Sequence, residues 1–203
     1  MKIKRFIGGV LESNGYVIYR NEGGSCFIID PGYKPKVFID FIIEKGLTLK
    51  GILLTHHHYD HVGAVERIRE AFECPVYMHR RDCDAYGKKV DVYMEDGDVI
   101  DLDGEEIRVV STPGHTGGSV CFLSDKSKVA FTGDTLFNID LGRTDFEDGS
   151  EEEMIDSIRN VVDKWGNDIT IYPGHSEGCT MKKVREINKE FIDIIRKGER
   201  SEG

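Results

Sequence analysis

The sequence lacks any long hydrophobic run and any pairing of its cysteines. No stretch approaches the roughly 18 apolar residues that a membrane span needs, and Met1 to Val10 lacks the pattern of a secretory signal peptide. The five cysteines are an odd number at unrelated spacings, and no CxxC pair occurs. These absences argue against a membrane protein and a disulfide framework. They predict reduced thiols and a cytoplasmic location.

Positive charge is also scarce. The chain has 27 Lys and Arg residues against 37 Asp and Glu residues, which gives a net charge of −10. An acidic surface repels phosphate backbones, so we expect no nucleic-acid partner. The length of 203 residues fits a single domain over 1–203, with residues 198–203 expected to fray. The oligomeric state has no signature in the sequence.

Short apolar runs alternate with amphipathic segments in two similar halves of the chain. Runs such as Gly51 to Leu54 and Val129 to Phe131 predict strands, and Ser13-Asn14-Gly15 predicts a turn. Apolar residues at helical spacing predict a helix over Pro35 to Lys45. They also predict one final helix, whose apolar face is Met181, Val184, Ile187, Phe191 and Ile194. The alternation indicates two packed sheets with helices outside them.

The strongest chemical signal is a run of histidine and aspartate directly after the strand predicted at Gly51 to Leu54. His56, His58 and Asp60 alternate along an extended segment, so their side chains point to the same side. His61 joins them from the start of the following helix. Imidazole nitrogen and carboxylate oxygen together suit Zn²⁺, Mn²⁺ or Fe²⁺. Four candidate ligands exceed what one tetrahedral ion usually takes from one loop, so the run predicts two metal ions.

Three further candidate ligands lie elsewhere in the chain. His115, Asp134 and His175 each follow a glycine, which lets the backbone turn tightly and bring the side chain to a sheet edge. Any one of them alone could be a capped turn or a satisfied histidine, but together with the first run they complete a ligand set. His57 and His79 are left over, and we expect both to be structural or solvent-facing.

This arrangement resembles the metallo-β-lactamase superfamily. The family's T-H-x-H-x-D-H motif corresponds to Thr55 to His61, and the later candidates follow in the family's order. The resemblance implies the α/β class and an αββα sandwich with the metals at one edge of the two sheets. It assigns His56, His58 and His115 to one metal, and Asp60, His61 and His175 to the other. Asp134 is then the carboxylate that bridges the two metals.

The resemblance further implies a hydrolase that binds two divalent ions, zinc being the first expectation and iron or manganese staying open. Two cations about 3.5–4 Å apart lower the pKa of a shared water enough to hold a bridging hydroxide as nucleophile. Asp60 would bind its metal and also act in catalysis, by orienting the nucleophile or moving a proton. Asp30, before a Pro-Gly turn, could brace a ligand or only cap that turn, and is not assigned to the site.

Within the superfamily, the sequence is most similar to the glyoxalase II group, which hydrolyses small-molecule thioesters of glutathione. Tyr59 supplies the aromatic residue before the aspartate of the motif, and Gly133 to Phe137 also matches that group. Arg143 falls where the group carries a basic residue for a glutathione carboxylate. An ion pair of structural value is the other interpretation of Arg143.

Two observations keep other activities open. After His175 the sequence predicts a single helix, where the glyoxalase II group usually adds a helical domain, so another thioester, an ester or a lactone could be the substrate. Gly142 to Phe146 and Ile171 to Pro173 resemble the persulfide dioxygenase branch, an oxidoreductase group with one iron on the same scaffold. That branch tends to carry a small residue where Tyr59 stands, which favours the hydrolase.

Overall fold

The first half of the chain forms one six-stranded sheet. In the computed structural model, which describes residues 1–201, its strands are β1 (Lys2–Gly8), β2 (Ser13–Tyr19), β3 (Ser25–Ile29), β4 (Thr48–Leu53), β5 (Val76–His79) and β6 (Val92–Met94). The strands lie in chain order; β1, β2 and β3 pair antiparallel, and β3 to β6 pair parallel. Its helices are α1 (Pro35–Glu44), α2 (Tyr59–Val62), α3 (Val65–Phe72) and α4 (Cys83–Tyr86).

The second half forms a second six-stranded sheet. Its strands are β7 (Val99–Asp101), β8 (Glu106–Ser111), β9 (Val120–Ser124), β10 (Val129–Gly133), β11 (Thr170–Pro173) and β12 (Cys179–Thr180). They lie in the order β12-β11-β10-β9-β8-β7, and only β10 and β11 pair parallel among these strands. Its helices are α5 (Glu151–Asn160), α6 (Met181–Ile187) and α7 (Lys189–Ser201).

The two sheets pack face to face, and helices cover their outer faces. Ile18 and Phe27 join Phe122 of the other sheet in the core between the sheets. Their neighbours along the strands, such as Val17, point outward and pack against α1 residues such as Phe38. Strand side chains alternate between faces, so every central strand contributes to two apolar layers. The predicted αββα sandwich is confirmed.

The structure shows the state of the cysteines and the length of the helices. The five cysteines are free thiols, and Cys26, Cys74 and Cys121 are buried. Within residues 1–201, no helix is both long and apolar enough to cross a membrane.

The predicted turn at Ser13-Asn14-Gly15 is wrong, since these residues open β2 and pair with the end of β1. Their side chains find partners that local sequence does not reveal. Asn14 Nδ2 donates to the carbonyl oxygens of Pro173 and Ser176, and Ser13 Oγ donates to the carbonyl oxygen of Asp60. Turn-forming residues are therefore used here to fasten β2 to the loops at one edge of the sandwich.

The single final helix is also a wrong prediction, because the helix breaks at Asn188 into α6 and α7. Asn188 Oδ1 accepts from the backbone N–H of Phe191, which caps the start of α7. Its Nδ2 donates to the carbonyl oxygens of Phe137 and Asp140. Helix α7 continues through Ser201 and so includes the first four residues of the segment expected to fray; residues 202 and 203 lie outside the described chain.

Candidate metal centre

The seven candidate ligands lie at one edge of the sandwich. His56 and His58 follow β4, and Asp60 and His61 lie in the short helix α2. His115 lies in the β8–β9 loop, Asp134 directly follows β10, and His175 is the second residue after β11. Parallel neighbours β10 and β11 end at the same edge, which places Asp134 beside His175. Sheet topology thus brings together residues up to 119 positions apart, from His56 to His175.

His56, His58 and His115 form the first ligand group. One ring nitrogen of each lies within 4.8 Å of the other two. His58 Nδ1 and His115 Nε2 are 2.9 Å apart, and both rings lie edge-on to the His56 ring. Three imidazole nitrogens therefore converge on one point.

Asp60, His61 and His175 form the second ligand group, which meets the same 4.8 Å criterion. His61 Nε2 and His175 Nε2 are 3.3 Å apart, and Asp60 Oδ2 lies 3.2 Å from His175 Nε2. His61 is fully buried, while the side chain of His175 is 23% exposed. His175 is therefore the most exposed member of the second group.

Asp134 lies between the two groups. Its Oδ1 is 3.4 Å from His61 Nε2, and its Oδ2 is 3.5 Å from His115 Nε2 and 3.4 Å from His175 Nε2. One carboxylate thus faces a member of each group. The structure brings all seven residues together in the grouping that the family resemblance assigns, while their metal-ligand role stays a prediction.

The donor set fits a pair of divalent cations. Among the described residues, His56 Nε2 and Asp134 Oδ1 are buried side-chain atoms without a hydrogen-bond partner. Buried polar atoms are seldom left unpaired, and both point into the cluster of ligands. Imidazole nitrogens with carboxylate oxygens, and no thiolate among them, suit zinc, iron or manganese.

Asp30 supports both groups from behind, and the sequence had left its role open. Its Oδ1 accepts from the backbone N–H of Thr55, and its Oδ2 accepts from Thr55 Oγ1 and lies 3.3 Å from His61 Nδ1. Thr55 Oγ1 is in turn 3.0 Å from His56 Nδ1. With Nδ1 engaged in this way, each ring presents Nε2 to the cluster.

Backbone carbonyls orient two further candidate ligands, His115 and His175, in the same manner. His115 Nδ1 donates to the carbonyl oxygen of Arg143 at 2.7 Å, and His175 Nδ1 donates to that of Leu11 at 3.0 Å. A carbonyl oxygen can only accept, so Nδ1 carries the proton and Nε2 keeps a free lone pair. Second partners of this kind fix the ring orientation that a metal requires.

Glycine is required where the ligand loops approach one another most closely. A Cβ at Gly174 would lie 2.1 Å from Asp134 Oδ1 and 2.6 Å from His61 Cε1. At Gly114, where φ is +141°, a Cβ would lie 2.5 Å from Met154 Cα in α5. The glycines before His175 and His115 therefore allow the loops to pack against their neighbours, beyond the tight turns that the sequence indicates.

Electrostatics separates the ligands into neutral and ionised groups. Burial lowers the pKa of His58 to about 4, and burial also lowers the pKa values of His56 and His115. Burial also lowers the pKa of His175, but hydrogen bonds to Asp134 and Asp60 outweigh it and raise that pKa to about 9. Burial raises the pKa of Asp134, while the charge of His61 and hydrogen bonds hold it well below its usual range. Neutral imidazoles and ionised carboxylates are the forms that bind cations, so His175 would have to release its Nε2 proton when a metal binds.

The two histidines that the sequence left over lie outside the cluster. His57 points the other way and hydrogen-bonds through Nδ1 to Asp82 Oδ2 at 3.0 Å. His79 Nδ1 accepts from the backbone N–H of Arg81, at the start of a short 3₁₀ turn. Both are structural in this fold.

Arg143 lies on the rim of the site. Its guanidinium makes two hydrogen bonds to Asp145, of 2.6 and 2.7 Å, and lies 4.4 Å from the ring centre of Phe146. The side chain is 62% exposed, so a substrate carboxylate could reach it in competition with Asp145. The structure is therefore compatible with both interpretations of Arg143, the ion pair and the binding of a substrate carboxylate.

Both ligand groups open onto one pocket of about 550 Å³. Asp60, His115 and Asp134 lie in its lining. Its walls are largely apolar and aromatic, from Leu11, Tyr59, Phe137, Leu141 and Phe146. Apolar walls around a few convergent polar groups suit a small organic substrate.

Comparison with known proteins identifies the family. The family model described as metallo-beta-lactamase superfamily matches residues 8–179. The chain belongs to the metallo-β-lactamase superfamily. Hydroxyacylglutathione hydrolase GloC of Haemophilus influenzae is 34% identical over 195 residues, which cover 87% of this chain and 92% of GloC. The predicted superfamily membership is thereby confirmed.

Solved structures of the superfamily match over almost the whole chain. A di-iron-bound form of TTHA1623 is 30% identical with a TM-score of 0.79, covering 92% of this chain and 98% of that one. ETHE1 from Myxococcus xanthus is 25% identical with a TM-score of 0.84, covering 98% of this chain and 90% of that one. These matches support a divalent-metal site in this metallo-hydrolase fold.

Proposed function

We propose that this protein is a dinuclear metal-dependent hydrolase that cleaves thioesters of the hydroxyacylglutathione type. The observation that carries the proposal is the pair of three-residue ligand groups with Asp134 facing both, at the floor of a pocket of about 550 Å³. The similarity to GloC supports the thioester class. Zinc is the first candidate metal, and iron is the second, because the similar protein TTHA1623 has a di-iron-bound form.

The ligand groups and Asp60 would have different roles in the proposed hydrolysis. Divalent cations held by the two groups would acidify a water and polarise the thioester carbonyl. Asp60 lies in the pocket lining, and although burial raises its pKa, its contacts to His175 and His61 outweigh this and keep its carboxylate ionised and oriented. Asp60 would accept the proton of the attacking water. The water oxygen bonds to the acyl carbon, the C–S bond breaks, and the thiolate leaves and takes up a proton.

The mouth of the pocket would select the substrate. Tyr59 and Phe146 are 65% and 39% exposed, and they line the pocket above the ligands. Their rings would cover the acyl group and limit the access of bulk water. Arg143 would exchange Asp145 for a carboxylate of the thiol carrier. We propose a small-molecule thioester as partner and a cytoplasmic location.

A persulfide dioxygenase is the second candidate. The Gly142 to Phe146 segment resembles that branch, and the fit to the ETHE1 structure is compatible with either activity. Tyr59 favours the hydrolase, because its ring fills space at the pocket mouth where the dioxygenase branch tends to carry a small residue.

Elemental analysis of the purified protein, combined with two assays, separates the candidates. A hydrolase should contain two metal ions per chain and release thiol from S-lactoylglutathione under anaerobic conditions. A dioxygenase should contain one iron and consume O₂ with glutathione persulfide. Retained metal without turnover of either substrate would contradict both activities.

A further inference from the structure

Asp82 is a buried carboxylate that the proposed chemistry does not use. It ends a 3₁₀ turn directly after β5, and it is 1% exposed. Burying an ionised group away from water is unfavourable unless several donors surround it. Burial alone would raise the pKa of Asp82, but hydrogen bonds from His57 and Thr116 and from the Gly118 backbone hold it below its usual value.

The donors around Asp82 come from two different loops. Its Oδ2 accepts from the backbone N–H of His57 at 3.0 Å and from His57 Nδ1 at 3.0 Å. The same oxygen accepts from Thr116 Oγ1 at 2.8 Å, and Oδ1 accepts from the backbone N–H of Gly118 at 2.6 Å. One carboxylate therefore joins the β4–α2 loop to the β8–β9 loop.

Those two loops supply the whole first ligand group. His57 lies between His56 and His58 in the chain, and Thr116 directly follows His115. A backbone hydrogen bond of 2.9 Å from the N–H of Val120 to the carbonyl oxygen of Thr55 joins the same loops.

Asp82 is closely packed against the β8–β9 loop. A Cβ at Gly118 would lie 2.3 Å from Asp82 Oδ1 and 2.7 Å from its Cγ. On the other side, His57 is held a second time, with Nε2 3.6 Å from Asp148 Oδ2. The carboxylate is thus enclosed between the two loops.

We propose that Asp82 is a positioning residue that sets the spacing of His56, His58 and His115, and so the metal affinity of the first group alone. The inference rests on the metal-binding part of the proposed function and is independent of the substrate. Residues that orient metal ligands from outside the coordination shell typically change metal affinity by about 10–100-fold.

The test uses single-site backgrounds so that each group is measured alone. In His175→Ala protein the first group remains intact, and in His58→Ala protein the second group remains intact. The zinc affinity of metal-free protein is measured by competition with a chromophoric chelator. Adding Asp82→Asn should weaken zinc binding about 10–100-fold in the His175→Ala background. In the His58→Ala background the affinity should change by less than about threefold.

Two further variants keep the test decisive. Thr116→Val removes one donor to Asp82. It should weaken zinc binding in the His175→Ala background by a smaller factor than Asp82→Asn, and it replaces that variant if Asp82→Asn does not fold. Asp91→Asn is the matched control, because Asp91 accepts from the Val76 N–H at the other end of β5, and it should change neither affinity.

If Asp82→Asn weakens zinc binding equally in both backgrounds, or not at all in the His175→Ala background, the proposal is overturned. Absence of thioester turnover would contradict the proposed function without altering these zinc affinities, so the two failures are distinguishable.

Discussion

Among single residues, Asp134 is the one that lies between the two candidate ligand groups. Its two oxygens lie within 3.5 Å of His61, His115 and His175, and the carboxylate is almost fully buried. Asp134→Ala should lose bound metal and thioester turnover together, by more than the ~100-fold upper range for residues outside the coordination shell. Metal content by elemental analysis and thiol release from S-lactoylglutathione measure the two losses.

The matched control for Asp134 is Asp125→Asn, which removes a negative charge from an exposed pair with Arg108. It should keep its metal and its activity. Near-normal turnover in Asp134→Ala would count against the proposed centre, and loss of metal in both variants would point to a general effect of charge.

Arg143 offers a second prediction for a single residue. If its guanidinium receives a substrate carboxylate, Arg143→Gln should raise KM for S-lactoylglutathione by about 10-fold or more with little change in kcat, since the contact is made in ground and transition states alike. Asp145→Asn frees the guanidinium and should lower KM. Steady-state kinetics of the two variants checks both directions.

A higher KM in Arg143→Gln together with a lower KM in Asp145→Asn would indicate that Arg143 binds the substrate. If neither variant moves KM, Arg143 and Asp145 form only an ion pair. Thermal melting should be nearly unchanged in both variants, because the pair is exposed and such pairs contribute little to stability.

The sequence singles out the seven candidate ligands, but it leaves the role of Asp30 open and gives no sign of Asp82. The ligands stand in a spaced motif and beside glycines at strand ends, so local pattern reveals them. Asp30 follows a strand, but its contact with Thr55 spans 25 positions. Asp82 likewise reaches Thr116 across 34 positions, and nothing beside it in the sequence distinguishes it from a surface aspartate.

At the scale of elements, the break at Asn188 connects helix packing to the pocket. The buried Asn188 side chain caps α7 and donates to the carbonyls of Phe137 and Asp140, both of which line the pocket. Asn188→Ala should lower the free energy of unfolding by roughly 1 kcal/mol, because it removes the cap of α7 and two part-buried hydrogen bonds. It should also raise KM by loosening the 137–140 loop. Urea unfolding and steady-state kinetics measure the two effects.

Asn160→Ala, at the exposed end of α5, is the control for Asn188 and should leave both stability and KM unchanged. A stable Asn188→Ala variant would show that the carbonyls find other partners, and that the capping argument is wrong.

Long elements could be predicted from periodicity, and very short ones could not. The helix from Pro35 is confirmed to within one residue, with α1 ending at Glu44. Strand β6 has three residues, β12 has two and α4 has four, too few for a period to show. Asn188 has the helical neighbours of a continuous helix, so only its tertiary partners explain the break.

For the whole molecule, the candidate metal centre lies between the two halves of the sandwich. Asp60, His61 and two ligands of the first group come from the half built on β1 to β6, and the other three candidate ligands come from the half built on β7 to β12. The alternating pattern predicted two sheets, but not which edges would meet. The family resemblance supplied that relation, since strand order depends on contacts between distant segments.

Cations bound between two halves should stabilise the native fold by mass action. A ligand at 100 times its Kd adds about 2.7 kcal/mol when it binds only the folded state. For a domain of this size about 1 kcal/mol corresponds to a shift of roughly 2–4 °C in Tm. Removing metal with a chelator should therefore lower Tm by about 5–10 °C per ion, and zinc should restore it.

The Asp134→Ala variant distinguishes stabilisation by the centre from adventitious effects of the chelator. It should melt near the temperature of the metal-free protein, and neither chelator nor zinc should move it, because its two groups no longer share a carboxylate. If metal-free and metal-loaded wild-type protein melted at the same temperature, the ions would not link the halves. The seven side chains would then be held together by the sandwich alone, through Asp30 and Asp82 behind the loops.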